Sequence, residues 1–381
     1  RISIKMMDAI FSKEEVNIGR QSEFDYLKGI FMLFIYLIHA FQATLSPQDS
    51  ISQWIYSFAT MSGAAVFIFV MGIGTVYSKH TAPSDFAKSG FRMVIYQYLN
   101  NIAYVAALVL PYPFVSGRLT EGMTENVRFL IKMYLQYTNI FFITGIIYLV
   151  LALLKRFNLN TAWYVVIGAV AGIAAPFIYG TPVNVPVIGY IVKLLIGDAD
   201  FVSFTPLYFL SYALFGVAFG KMIRHVKDKA KFYSMFVIPA IVIAVVWWLL
   251  IFWNYGSDSF ELHTVLSDAY THPNIWHVAA SLAHIFLFAA FFFFLEKFGR
   301  KENRLSGSKN PVERQLLYYS RHISKYYALH VLVYFVALGL NGYESFQSYQ
   351  CWLLALLSMV VTELMVRGCN YLSEKNLIKF L

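Results

Sequence analysis

The stretch "FDYLKGIFMLFIYLIHAF", residues 24–41, decides how this chain is read. It is apolar enough to cross a bilayer as a helix of roughly 20 residues, yet it holds Asp25, Lys28 and His39. An ionisable side chain turned toward lipid at mid-membrane costs about 2.5–3.5 kcal/mol, so the three groups are expected to face protein or water and to have a function there. On a helix Lys28 and His39 lie about 20° from alignment and about 16 Å apart along the axis, which puts a cation near one membrane face and an imidazole deep on the same side. Asp25 is one turn from Lys28 and placed to pair with it. The plainer alternative is that Lys28 snorkels to the interface and His39 bonds a neighbouring helix.

Composition extends the reading to the whole chain. With 59% hydrophobic and 13% charged residues over 381 positions, a soluble globule with a charged surface is excluded. Apolar stretches of span length recur at 24–45, 54–78, 87–110, 133–154, 161–180, 205–222, 232–253, 275–296, 323–341 and 350–371. None has the alternation of a barrel strand, so the expected fold is all-α, a polytopic membrane helix bundle of about ten transmembrane helices.

Orientation follows from the cations. With a cytoplasmic N-terminus, twenty-five of the thirty Lys and Arg residues fall on cytoplasmic segments, and only Arg118, Arg128, Lys132 and Lys193 fall outside. Both termini are therefore expected in the cytoplasm. The resulting division is a cytoplasmic segment 1–23, a membrane domain 24–371 and a cytoplasmic tail 372–381. The net charge of +9 is an asymmetry of faces that suits anionic lipid or an anionic cytoplasmic ligand, not nucleic acid.

Other features narrow the field. The first apolar run follows about twenty polar residues and has full span length, so it is expected to be retained rather than cleaved. Cys351 and Cys369 stand at opposite ends of the last span, too far apart to pair. No Cys/His cluster has zinc spacing, so no metal is expected, and there is neither a Walker loop nor a dinucleotide fingerprint.

Three segments carry a resemblance. Lys28, ten residues and His39, led by Asp25 and followed by Gly29, resemble the first helix of the acyltransferase 3 family of integral membrane acyltransferases, whose hallmark is Arg or Lys, ten residues, then His. "VFIFVMGIGTVYSK", residues 66–79, is similar to the family's second helix, and its "FVMG" also leans toward the related heparan-α-glucosaminide N-acetyltransferases. "YYSRHISKYYALHVLVYF", residues 318–335, resembles the late Ser-Tyr-x-x-Tyr-x-x-His helix, with Ser324, Tyr327 and His330 in matching places. Where the family often has two arginines three apart at the start of its third helix, this chain has Lys88 and Arg92, four apart.

The resemblance implies transfer of an acyl group, acetyl in the first instance, from cytoplasmic acyl-CoA to a hydroxyl of an extracytoplasmic glycan or lipid-linked sugar. It also implies a bacterial plasma (inner) membrane setting. An N-acetyltransferase acting on an amino sugar is the near alternative, and a proton-coupled secondary transporter is the alternative from another class. The residues agree with acyl transfer in their physics. CoA is a polyanion with a thioester at the end of a long arm, so Lys28, Lys88 and Arg92, with Asp25 holding Lys28, are the candidate donor-binding residues. His39 is the candidate general base, and His330 joins it by the family match. An acyl-histidine intermediate stays open. Membrane lipids are partners, and a homodimer with a second copy of the chain is a candidate assembly.

The remaining polar residues in spans have plainer expectations. His277 and His284 share a helix face and are read as core hydrogen-bonding groups, and Glu363 and Arg367 as an i, i+4 pair. Gln97, Asn100 and Asn101 either line the donor's path or join helices, while Gly72 and Gly74 are expected to permit close helix contact. The loop 254–277 has three carboxylates, no Lys or Arg, and the aromatics Tyr255, Phe260, Tyr270 and Trp276. It is a candidate glycan surface, or a set of interfacial anchors.

Overall fold

The computed structural model of the chain describes residues 7–43, 50–111, 137–183, 185–197, 204–255, 272–302, 310–341 and 346–375, with 128 and 132 singly. Twelve helices account for most of them: α1 Ser22–Ala43, α2 Ser50–Tyr77, α3 Pro83–Val109, α4 Ile140–Lys155, α5 Thr161–Ile178, α6 Pro186–Ile196, α7 Pro206–Arg224, α8 Lys229–Tyr255, α9 Ile275–Glu302, α10 Pro311–Arg321, α11 Ile323–Leu340 and α12 Ser348–Glu374. The only β pairing among the described residues is the isolated bridge between Phe11 and Val226.

The fold is the all-α polytopic membrane bundle expected. Each of the ten expected spans is a helix, and eight of them are long and apolar enough to cross a membrane unaided. Of the other two, α3 is long but carries Asp85, Lys88 and Arg92 in its first turns, and α4 is a shorter apolar helix of 16 residues. The expected span at 133–154 begins instead at Ile140, where the Asn139 side chain accepts from the Phe141 amide and caps the helix.

Two helices were not anticipated. One is α6; the other is α10, inside the 297–322 segment read as a connection. Asn310 caps α10 through the Val312 amide and Pro311 occupies its first turn. Its Leu316, Leu317, Tyr319 and Ser320 are buried against the bundle while Val312 stays exposed, so it is a short amphipathic helix rather than a loop.

Helix α1 is the hub. It packs on α2, α9, α10, α11 and α12, and Leu27, Met32, Tyr36 and Ile38 are fully buried in those contacts. Lipid-facing duty falls to α5 and α8, whose apolar side chains are largely exposed, such as Val170, Phe177, Leu249 and Trp253. Helices α2 and α7 cross where Gly72 and Gly216 meet, and a Cβ on either would collide with a backbone oxygen, of Ala213 or Phe69. Gly72 thus has the packing role expected of it. Gly74 does not, because a Cβ there would meet nothing within 4 Å.

The polar start of α1 is held by ion pairs and hydrogen bonds. Glu23, buried, pairs with Lys229 of α8 and accepts from Tyr233 Oη at 3.1 Å, and Ser22 donates to Glu296 of α9. Upstream, residues 10–17 lie against the α7–α8 turn: Ser12 N donates to His225 O at 2.7 Å, Lys227 N to Ile10 O at 2.9 Å, and Tyr77 Oη to Asn17 O at 3.0 Å. A buried carboxylate is tolerable only when so paired, which fixes where α1 begins.

Candidate active site

Lys28, Lys88 and Arg92, at the starts of α1 and α3, line one cavity of about 590 Å³. The cavity opens among these cations and continues along an apolar wall of Met32, Phe67, Met71 and Phe141, with Ser324 and Tyr327 of α11 on its other side. Gly74 is in that wall too, so its missing side chain leaves room for the cavity rather than for a helix.

Asp25 is not in the lining. Its carboxylate is placed behind Lys28, with Oδ1 at 3.2 Å from Nζ, and it also pairs with Arg20 and accepts from Ser320 Oγ at 2.7 Å. Asp25 therefore holds Lys28 in place and joins α1 to α10. The approach of α10 depends on Gly29, since a Cβ there would strike the Leu316 carbonyl. Farther along, Glu363 of α12 accepts from Gln315 Nε2 of α10 at 3.0 Å and from Tyr326 Oη of α11 at 2.5 Å. Its expected pair with Arg367 is present at 2.5 Å.

His39 and His330 meet beyond the cavity's Tyr327 wall, and neither ring is in the lining. Their rings are stacked, with centroids 4.8 Å apart, and His330 Nε2 lies 2.8 Å from His39 Nδ1. Tyr327 packs edge-on against both, with centroids at 5.7 Å from His39 and 5.3 Å from His330, and also touches Phe141. It is thus the side chain that separates the cavity from the histidine pair. His330 is fully buried and His39 is partly exposed.

A carbonyl on α11 orders the protons of this pair. His330 Nδ1 lies 2.8 Å from the Tyr326 carbonyl oxygen, which can only accept, so Nδ1 carries the proton. In the neutral ring Nε2 is then the acceptor, and the hydrogen bond between the rings must be donated by His39 Nδ1. His39 is left with an unprotonated Nε2, the nitrogen a general base needs. On the same helix Tyr334 Oη donates to the Tyr36 carbonyl at 2.6 Å and fastens α11 to α1.

Other polar residues singled out in the sequence lie elsewhere. Gln97 and Asn101 join helices: both donate to the Tyr137 carbonyl, and Gln97 Oε1 accepts from the Asn139 and Phe142 amides at the start of α4. Neither they nor Asn100 line the cavity. His284 accepts from Trp248 Nε1 at 3.2 Å, and the His277 ring lies against Trp247, so both link α9 to α8. Residues 256–271 of the candidate glycan loop lie outside the described residues.

Sequence reasoning brought forward Lys28, Lys88, Arg92, His39 and His330, but neither the tautomer-setting carbonyl nor Tyr327 as the separating side chain. Tyr327 carried a signal in its i, i+3 spacing to His330, which puts both on one helix face. No curated protein and no solved structure matches the chain. The model of the acyltransferase domain family, acyltransferase 3, matches residues 21–367, a span from just before α1 to the last turns of α12 that includes Lys28, His39, Lys88, Arg92, Tyr327 and His330, and the chain belongs to that family of membrane acyltransferases.

Proposed function

We propose that the chain moves an acetyl group from acyl-CoA, entering at the basic end of the bundle, to a hydroxyl of a glycan or lipid-linked sugar reached from the opposite face, with His39 as general base. The basic end is then cytoplasmic, as the distribution of Lys and Arg supports, and a bacterial inner membrane is the setting the family resemblance suggests. The observation that carries the reading is the order Tyr326 O, His330, His39, which leaves His39 Nε2 free to accept a proton.

In the reaction the acceptor oxygen attacks the thioester carbonyl carbon as its proton passes to His39 Nε2. The tetrahedral intermediate then collapses, the C–S bond breaks, and the same nitrogen returns the proton to the thiolate. The base is regenerated and the ester is formed with no other reactant. Lys28, Lys88 and Arg92 meet the phosphates, and the apolar wall takes the thinner pantetheine arm. In this reading the thioester reaches His39 once the Tyr327 ring, which stands between the cavity and the histidine pair, turns aside.

The test is purified protein in vesicles that enclose a lipid-linked oligosaccharide, given radiolabelled acetyl-CoA from outside. The expected result is label in the sugar fraction of inside-out vesicles, with free CoA released in equal amount. Absence of both transfer and slow donor hydrolysis would overturn the reading.

A further inference from the structure

We propose that the chain has a second ligand site, for a phosphate group, in a cavity of about 310 Å³ between the basic ends of α2, α4 and α7 and the start of α5. Lys155, Lys221 and Arg224 line it, with Glu15 the one carboxylate in its wall. Glu15 is engaged by Arg224 Nη2 at 2.7 Å. Lys155 and Lys221 form no ion pair with any described carboxylate; they lie over the Phe86 and Tyr164 rings at 4.4 and 4.5 Å, and Lys221 also donates to the Leu159 carbonyl. Two positive charges therefore remain uncompensated inside a concave surface, which matches the charge of a phosphate monoester.

Three further features point the same way. Arg224 Nε is buried and has no hydrogen-bond partner, although Nη1 and Nη2 are both engaged. Thr81 and Thr161 are in its wall with Thr75, whose hydroxyl donates to the Gly72 carbonyl, and Thr161 is the first residue of α5, a helix end that attracts anions and at which Asn160 already accepts from the Trp163 amide. Lys155 lines the cavity and is partly buried while its neighbour Arg156 is exposed, so these cations are not simply a basic rim.

The cavity is distinct from the first but adjoins it, since Thr75 lines both. A nucleotide phosphate monoester at the far end of the acyl donor and the phosphodiester headgroup of an anionic lipid both present anionic non-bridging phosphate oxygens, and the site recognises those oxygens. The proposal stands apart from the acetyl-transfer reading for that reason.

Binding of adenosine 3′,5′-bisphosphate is measured calorimetrically in phosphatidylcholine nanodiscs, and retention of phosphatidylglycerol by native mass spectrometry. Both are done for the unaltered chain, for Lys155→Gln/Lys221→Gln, for Thr161→Glu and for Arg156→Gln. A carboxylate in the first turn of α5 favours the helix while repelling a bound phosphate, so Thr161→Glu tests the site with the fold preserved. At least a tenfold loss of one probe in both the double variant and Thr161→Glu, with Arg156→Gln unchanged, is expected. Loss of the nucleotide assigns the site to the donor, and loss of the lipid assigns it to the membrane. Binding of neither probe to the unaltered chain, or unchanged binding of both by the two variants, would overturn the site.

Discussion

In the proposed reading His39 accepts the proton, and the hydrogen bonds behind its ring set which nitrogen does so. The Tyr326 carbonyl holds the proton on His330 Nδ1, and His330 in turn holds the one on His39 Nδ1. Replacing His330 with Ala frees the His39 ring to adopt the other tautomer. A single orienting hydrogen bond contributes about 0.5–1.5 kcal/mol, so kcat is expected to fall roughly two- to tenfold with KM for the donor little changed. A loss as large as that from removing His39 itself would give His330 a direct part in the reaction. The cations behave differently. Lys88 and Arg92 are exposed at the cavity mouth, so any attraction they exert on an anionic donor is screened by salt. Arg92→Ala is expected to weaken donor binding at low salt and much less near 1 M, as read by calorimetry; equal losses at both salts would indicate a structural role. Lys28 and His39 were legible because helical spacing aligns two unusual residues within one apolar run. The contact between His39 and His330 was not, since nothing local relates residues 291 positions apart.

Among the elements, α10 and the α2–α7 crossing show where pattern reading stops. Apolar runs mark the ten expected helices, eight of them long and apolar enough to span a membrane, because lipid makes a simple demand on every residue of a span. Helix α10 is short and charged, and its buried face is recognised only once Gly29 of α1 is seen to receive its backbone at Leu316. The two glycines of "MGIGT" look alike in sequence, yet Gly72 admits α7 and Gly74 leaves a cavity wall open. These two positions separate in an experiment. Gly72→Ala forces α2 and α7 apart and is expected to destabilise by about 1–3 kcal/mol. Gly74→Ala should leave the melting temperature within a degree or two while raising KM for the donor, because the added methyl enters the cavity. A fall in melting temperature equal to that of Gly72→Ala would remove Gly74 from the cavity wall.

At the scale of the whole molecule the account depends on two ends of opposite character. The cations of α1, α3, α4 and α7 converge at one end, and the sequence expectation that this end is cytoplasmic rests on their number alone. Thr181, after α5, and Lys227, between α7 and α8, are exposed at opposite ends. In intact cells an impermeant thiol reagent is expected to label a Thr181→Cys chain and not a Lys227→Cys chain, in a background with Cys351 and Cys369 replaced. The reverse pattern would turn the donor cavity to the outside and remove its access to acyl-CoA.

The most direct test of the central claim is the turnover of the His39→Ala chain, purified and compared with the unaltered one by transfer of radiolabelled acetyl from acetyl-CoA. General-base catalysis contributes about 10²–10⁴-fold, so transfer should fall by at least a hundredfold. Binding of CoA, proposed to rest on Lys28, Lys88 and Arg92, should stay within about threefold of normal by the separation of binding from the reacting step. Turnover near that of the unaltered chain would contradict the assignment of His39 as the base.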